Sequence, residues 1–212
     1  MNTPSEIWKA IVQLYLLLYK GENKESTYQN YFENNDVVFK VLGMDRAISY
    51  EKSSEYKLPK DKERNYSYEP DFIGINESEG VVNIVDLKTP FVGSLTRSKY
   101  KGARVFFKQS ANEYIGQATR YTKFIRGERE ARERIKEHFG INNFSSYKIK
   151  LIYGLRCDNE DSEVEEILSD SGISTEIIFY DDVLDKLADA YKLCGRPVDT
   201  NDGWFFQQVF LL

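Results

Sequence analysis

The chain has 212 residues, of which 41% are hydrophobic and 30% are charged, and its formal net charge is −5. This length and apolar content favour one domain with a single sizeable core. The single histidine, His138, argues against HNH nucleases, two-histidine phosphodiesterases and most zinc enzymes.

The longest apolar run, residues 11–19, is far shorter than the ~20 residues that span a bilayer, and no signal peptide is recognisable. We therefore expect a cytoplasmic protein without membrane contact, in which Cys157 and Cys194 are reduced thiols.

Two helices and a strand are predicted in the first quarter of the chain. The first helix begins at Pro4 and runs to about Tyr19, and Gly21 ends it. A second helix is expected over residues 25–34, and residues 47–56 could form a strand. The first helix carries an apolar stripe that is either core or a dimer contact: Trp8, Ile11, Leu14, Tyr15 and Leu18.

A β-hairpin follows and is the most informative feature of the sequence. Two apolar runs flank a polar turn at residues 77–80. Asp71 opens the first strand, and the second strand closes with Asp86, Leu87 and Lys88. Because side chains alternate along a strand, Asp86 and Lys88 share a face. The hairpin therefore predicts that Asp71, Asp86 and Lys88 converge at one end of the sheet.

A long helix is predicted from about Ser110 through residues 126–139, with Gly140 as its cap. Gln117 and Tyr121 lie four residues apart, on one face of this helix. Gln117 is either a core glutamine bonded to backbone or a ligand of a metal-bound water or a scissile phosphate. The preceding segment, residues 92–108, is expected to be a loop that contacts nucleic acid.

The remaining elements alternate between strand and helix. Strands are predicted at 147–155 and 175–180, and a helix is predicted at 160–169. Asp181 or Asp182 is expected to cap a last helix that ends at Cys194. The whole order indicates an α/β protein with a mixed central sheet flanked by helices. An apolar tail over residues 196–212 either docks on the body or makes a subunit contact.

Two carboxylates and an ammonium at one sheet end suit a divalent metal and a phosphate. Mg²⁺ prefers a few carboxylates plus water and phosphate oxygens, so Asp71 and Asp86 could bind it, with the carbonyl of Leu87 as a third ligand. The metal would lower the pKa of a bound water, and Lys88 would orient that water or stabilise the transition state. The competing interpretation is a solvated ion pair at the end of a strand.

Basic residues are concentrated around the predicted loop and long helix. Between residues 97 and 126 the chain has eight basic residues and one acidic residue, a local balance of +7. Such a local positive field is what phosphate binding requires, whatever the total charge of the protein. The alternative is a solvated surface. The candidate nucleic-acid-binding residues are Arg97, Lys99, Lys101, Arg104, Lys108 and Arg120.

These motifs together resemble the PD-(D/E)xK nuclease superfamily. Pro70-Asp71 resembles its first signature, Asp86-Leu87-Lys88 resembles the (D/E)xK, and residues 117–121 are similar to the QxxxY motif of RecB-like members. The order of four stretches resembles, more narrowly, the Shedu family of anti-phage nucleases over residues 22–193. Those stretches are residues 24–36, the hairpin with the following Thr89-Pro90, the Gln117 helix, and residues 177–184.

The resemblance implies a restriction-endonuclease-like core and a catalytic set. That set comprises Glu25, Asp71, Asp86, Lys88 and Gln117, with Tyr121 in support. Glu25 would join Asp71, Asp86 and the Leu87 carbonyl around the metal, although Glu22 and Glu33 are alternatives that one sequence leaves open. Asp86 departs from the family pattern, which usually has Glu at this position.

The expected function is therefore a Mg²⁺- or Mn²⁺-dependent DNA endonuclease in anti-phage defence. The alternatives are a restriction or repair nuclease of the same fold, or a catalytically silent nucleic-acid-binding module. We expect an N-terminal helix over residues 1–21, a nuclease domain over 22–194 and an apolar tail over 195–212. The expected partners are DNA, most simply double-stranded, and further copies of the chain in a dimer or tetramer.

Overall fold

The structure is a computed structural model that describes residues 3–50, 57–63, 65–98, 105–157, 160–171 and 175–194. The helices within these ranges are α1 Pro4–Tyr19, α2 Glu25–Glu33, α3 Asp36–Val41, α4 Gln109–Gly127, α5 Arg129–Phe139, α6 Glu160–Ser171 and α7 Tyr180–Leu193. The strands are β1 Arg46–Ser49, β2 Phe72–Asn76, β3 Val81–Leu87, β4 Thr96–Ser98, β5 Val105–Phe107, β6 Ser146–Ile152 and β7 Thr175–Ile178.

The central sheet has five strands in the order β1-β2-β3-β6-β7. The pairs β1–β2 and β2–β3 are antiparallel, whereas β3–β6 and β6–β7 are parallel. A turn joins β2 and β3 and includes Gly80 at φ +64°, a backbone region that glycine enters without a Cβ clash. The helices α4 and α5 connect β3 to β6, as a parallel crossover requires. The predicted mixed α/β sheet flanked by helices is confirmed.

The middle strand β3 separates two layers of core. Val85 and Leu87 pack on the side of α1, α2, α3 and α7, whereas Val82 and Ile84 pack on the side of α4 and α5. Every residue of β3 is buried. Because side chains alternate along the strand, Asp86 lies on the α4 side of a buried strand.

The segment over residues 92–108 differs from the predicted loop. Its two ends form an antiparallel two-stranded sheet in which Thr96 pairs with Phe107. The two strands form because they bury apolar side chains: Leu95 and Phe107 pack against Ile115 of α4 and Val164 of α6. Residues 99–104, between the two strands, lie outside the described residues.

The long helix predicted to run to residue 139 is two helices. Glu128 adopts an extended conformation, with φ −93° and ψ 114°, and it both ends α4 and precedes α5. Gly127 before it is a poor helix former, so the break costs little there. The break turns α5 so that Ile135 and Phe139 enter the same core as α4. Gly140 caps α5 at φ +63°, as predicted.

Three smaller differences concern element ends. The short helix α3 was not predicted, because its six residues resemble a continuation of α2. The described part of the strand expected at 47–56 is β1, which ends at Ser49, and residues 51–56 lie outside the described residues. The residue that precedes α7 is Phe179 rather than Asp181 or Asp182. Asp182 instead accepts a hydrogen bond of 2.8 Å from the Phe179 N–H.

The apolar stripe of α1 belongs to the core. Ile11 and Leu14 are buried, and the Trp8 ring lies 5.3 Å from the ring of Tyr191 on α7. The C-terminal tail over residues 195–212 lies outside the described residues. In the part of the chain that is described, no helix is long and apolar enough to cross a membrane.

Candidate active site

The register of the hairpin places two carboxylates side by side. Phe72 pairs with Val85 in the antiparallel ladder, so the next positions outward are Asp71 and Asp86. Asp71 Oδ2 accepts a hydrogen bond of 2.6 Å from the backbone N–H of Leu87. The aspartate before β2 is therefore tied directly to the end of β3.

Lys88 is the centre of the cluster. Its Nζ lies 3.4 Å from Asp86 Oδ2 and 3.6 Å from Glu25 Oε1, and it donates a hydrogen bond of 2.7 Å to the carbonyl of Leu87. The same Nζ lies 5.1 Å from the centre of the Tyr114 ring on α4. Asp86 and Lys88 are both buried. The structure thus brings together Asp71, Asp86 and Lys88, as the hairpin predicted.

Glu25 is the glutamate of α2 that reaches this cluster. It begins the helix, and its side chain remains 46% exposed beside the Lys88 ammonium. Glu22 instead accepts the backbone N–H groups of Asn23 and Lys24. Glu33 accepts the Ser49 hydroxyl at the far end of α2. Of the three glutamates that the sequence left open, Glu25 is the one placed for a role in the site.

Burial and mutual repulsion dominate the electrostatics. Burial, followed by the charge of Asp86, raises the pKa of the Asp71 carboxyl to about 8. Burial lowers the pKa of Lys88, but the charges of Asp86, Asp71 and Glu25 outweigh it and the net shift is upward. Lys88 is therefore a cation at neutral pH, whereas the Asp71 carboxyl keeps its proton there.

Gln117 and Tyr121 form a second contact pair on α4. Gln117 Nε2 donates a hydrogen bond of 2.6 Å to the Tyr121 hydroxyl, which donates in turn to the carbonyl of Glu69 at 3.3 Å. Tyr121 is buried, and burial with the charge of Asp86 raises the pKa of its phenol. This chain of bonds links α4 to the residues that lead into Asp71. The sequence prediction that both side chains share one face is confirmed.

The donor set fits a magnesium ion that keeps several of its waters. Asp86 Oδ2 is buried and makes no hydrogen bond, although the Lys88 ammonium lies 3.4 Å away. An unsatisfied buried carboxylate oxygen beside a second carboxylate is the environment that a divalent cation stabilises. No group of three or more His, Cys, Asp or Glu side chains is arranged for a metal among the described residues. Mg²⁺ needs only one or two carboxylates, and the Leu87 carbonyl would have to be shared with Lys88.

The candidate nucleic-acid-binding residues are only partly described. Lys108 is half-buried at the start of α4, and Arg120 is exposed on the same helix. The backbone of Arg97 lies in β4, but its side chain is not described. Lys99, Lys101 and Arg104 lie outside the described residues.

Tyr180 is a site residue that the sequence did not reveal. It is fully buried at the start of α7, and its hydroxyl donates a hydrogen bond of 2.8 Å to the carbonyl of Lys88. Its ring lies 4.8 Å from that of Tyr28 on α2, the helix that carries Glu25. Tyr180 lies in the last of the four stretches that resemble the family, residues 177–184. Its hydrogen bond to Lys88 joins residues that are 92 apart in the chain, and no local sequence pattern predicts such a contact.

Comparison with known proteins shows the family of this chain. No curated protein has a significant match to the chain. The family described as "Shedu protein SduA, C-terminal" matches residues 22–184, which include α2, the hairpin, α4 and the start of α7. The match covers more than half of the 212 residues, and so the chain belongs to the Shedu SduA C-terminal family.

Proposed function

We propose that this protein is a Mg²⁺- or Mn²⁺-dependent DNA endonuclease with a PD-(D/E)xK, restriction-endonuclease-like core. The observation that carries the proposal is the convergence of Asp71, Asp86, Lys88 and Glu25 at one end of the central sheet, with a buried Asp86 oxygen that makes no hydrogen bond. Membership of the Shedu family suggests a role in anti-phage defence.

The carboxylates would hold the metal. Asp71 and Asp86 would supply anionic oxygens, the Leu87 carbonyl a neutral one, and Glu25 would approach from the exposed side. A bound Mg²⁺ would polarise the phosphodiester and lower the pKa of a coordinated water. The hydrogen bond from Leu87 N–H fixes Asp71 against Asp86, which pre-organises the pair before substrate arrives.

Lys88 would act on the phosphate or on the attacking water. Its ammonium remains charged at neutral pH and is fixed by Asp86, Glu25 and the Leu87 carbonyl. A fixed cation stabilises the negative charge that develops on a phosphate during hydrolysis without having to reorganise. Gln117 would position water or phosphate from α4, because its bond to Tyr121 restricts its orientation.

A cleavage assay tests this proposal and its alternatives together. Plasmid DNA, linear DNA and RNA are incubated with the purified full chain in Mg²⁺, in Mn²⁺ and in EDTA. Cleavage of DNA in the metal buffers alone supports the proposal. Binding without cleavage under all conditions would favour a silent nucleic-acid-binding module. Cleavage confined to one recognition sequence would favour a restriction nuclease of the same fold.

A further inference from the structure

Among the described residues, the Tyr114 ring is the one contact of the Lys88 ammonium that supplies no oxygen. The other partners of Lys88 Nζ are Asp86 at 3.4 Å, Glu25 at 3.6 Å and the carbonyl of Leu87 at 2.7 Å. The same nitrogen lies over the Tyr114 ring, 5.1 Å from its centre. A lysine ammonium within about 6 Å of a ring centre is attracted to the negative face of the ring. The ring therefore attracts the ammonium independently of the three oxygens.

Packing fixes the Tyr114 ring. Tyr114 is half-buried on α4 and packs against the core that contains Ile115 and Tyr153. Its ring lies 5.8 Å from the ring of Tyr153, at an interplanar angle of 52°. Tyr153 is buried, and its backbone N–H donates to the carbonyl of Ile178 on β7 at 2.9 Å. The ring that the ammonium contacts is thus attached to the packed interior of the protein.

The contact uses the ring of Tyr114 and not its hydroxyl. In the part of the chain that the structure describes, the Tyr114 hydroxyl makes no hydrogen bond. The hydroxyls of Tyr121 and Tyr180, in contrast, both donate hydrogen bonds beside the cluster. Tyr114 lies three residues before Gln117, so the two side chains are neighbours on α4. Loss of the hydroxyl alone should therefore leave the contact with Lys88 intact.

The oxygens around the ammonium are the ones that the proposed metal site would also use. The carboxylates of Asp86 and Glu25 and the carbonyl of Leu87 would be shared between the metal and Lys88. The face of an aromatic ring has no such second use. It also attracts the ammonium as a whole and engages no single N–H group, so the N–H donors of Lys88 remain available to a phosphate oxygen.

We infer that the Tyr114 ring holds the Lys88 ammonium in its reactive position by a cation–π contact, an inference that rests on the function proposed above. Tyr114 is a positioning residue, because it acts on the substrate only through Lys88. The competing interpretation is that Tyr114 only fills space beside Tyr153. The two interpretations differ in whether the charge distribution of the ring matters or only its shape.

Three replacements of Tyr114 separate these interpretations. Tyr114→Phe keeps the ring face and should keep kcat for DNA cleavage. Tyr114→pentafluorophenylalanine keeps the shape but reverses the charge on the face, and Tyr114→Leu removes the ring. We expect kcat to fall by about two- to 30-fold in the last two variants, with KM unchanged. Equal kcat values for the phenylalanine and pentafluorophenylalanine variants would overturn the inference.

The matched control is Tyr147→Leu. Tyr147 is also half-buried, and the guanidinium carbon of Arg126 lies 5.9 Å from the centre of its ring. Tyr147 pairs with Val82, which is four residues and ~13 Å before Asp86 on β3. This variant loses a comparable contact away from the cluster and should leave kcat per folded molecule unchanged. A loss of kcat as large as that of Tyr114→Leu would overturn the inference.

A second measurement requires no cleavage. Urea unfolding in EDTA is compared for the parent, Lys88→Leu, Tyr114→Leu and the double variant, since leucine has no sulfur that could contact the ring in place of the ammonium. The unfolding equilibrium constants should show a coupling of about two- to 30-fold between the two positions.

The two measurements separate the inference from the proposed function. An absence of coupling would overturn the inference whether or not the protein cuts DNA. Coupling without any loss of kcat would show a contact that only stabilises the fold, and it would also overturn the positioning role. A parent that cuts no DNA would overturn the proposed function, and the coupling in EDTA would then still decide whether the Tyr114 ring holds the ammonium of Lys88.

Discussion

The Tyr180 hydroxyl donates a hydrogen bond of 2.8 Å to the main-chain carbonyl of Lys88. Tyr180 is fully buried, and its ring contacts Tyr28 on the helix that begins with Glu25. One phenol therefore connects α7, α2 and the end of β3. The position of the Lys88 backbone depends on a residue from the far end of the chain.

Tyr180→Phe removes this hydrogen bond and retains the ring. We expect the loss to leave the Lys88 carbonyl unsatisfied and to cost about 1–3 kcal/mol in the free energy of unfolding. Because a small displacement of Lys88 from its reactive position raises the activation barrier, kcat for DNA cleavage should fall by about tenfold to 100-fold with little change in KM. Thermal unfolding and single-turnover cleavage measure the two effects. A kcat equal to that of the parent would show that the bond is structural only.

Lys88→Met removes the ammonium at the centre of the cluster. Without a fixed cation the phosphate charge in the transition state is less stabilised, and we expect the cleavage rate to fall by about 100- to 1,000-fold. The matched control is Lys150→Met. Lys150 is also a buried lysine of the central sheet, but it is paired with Glu176. Its replacement should alter the melting temperature and leave the rate per folded molecule unchanged. Similar rate losses in the two variants would contradict a special role for Lys88.

The buried carboxylate pair predicts a pH dependence of stability in EDTA. The pKa of Asp71 is raised from 3.8 to about 8, so the folded protein keeps this proton where the unfolded chain has lost it. The free energy of unfolding should then fall as pH rises from about 4 to about 8, by at most about 1.4 kcal/mol per pH unit from this group. Below that window both states bind the proton and Asp71 contributes no slope.

Asp71→Asn tests this assignment. The amide oxygen can still accept the Leu87 N–H bond, but it has no proton to release. Urea unfolding at several pH values in EDTA should give a shallower slope for the variant and greater stability than the parent at pH values near 8. Added Mg²⁺ should stabilise the parent more than the variant, since only the folded parent has both ligands. Parallel curves for the two proteins would contradict the assignment of the raised pKa to Asp71.

An endonuclease that cuts both DNA strands gains from paired active sites, and two-fold dimers are the commonest way to obtain them. We therefore expect at least a dimer in solution. The contact would involve the apolar tail over residues 195–212, because the apolar stripe of the first helix packs in the core of its own chain. Light scattering at micromolar concentration measures the mass directly. A species of 24.7 kDa would be a monomer and would contradict this expectation.

The parts of the site that the sequence predicted depend on local pattern. The two apolar runs and the polar turn between them at 77–80 predicted the hairpin, and the hairpin register then placed Asp71 opposite Asp86. The four-residue spacing of Gln117 and Tyr121 placed both on one helix face. In each case the contact is made within one element or between neighbours joined by a short turn.

The parts that the sequence did not predict depend on packing between distant segments. Glu25 was expected from the family resemblance, whereas local pattern left Glu22 and Glu33 open, because the contact with Lys88 joins segments far apart in the chain. The break at Glu128 follows from the burial of Phe139 in the core beside α4, and local helix propensity gave no sign of it beyond Gly127.

The central claim is that Asp86 helps to hold a metal ion that cleavage requires, and Asp86→Ala tests it most directly. The assay follows the cutting of plasmid and linear DNA over a Mg²⁺ titration, with folding checked by thermal unfolding. Asn83→Ala is the matched control, because Asn83 is a buried polar residue of the same strand β3, outside the cluster. We expect the parent and Asn83→Ala to cut DNA only with Mg²⁺, and folded Asp86→Ala not to cut at any Mg²⁺ concentration. Cleavage by Asp86→Ala at the parent's rate would contradict the central claim.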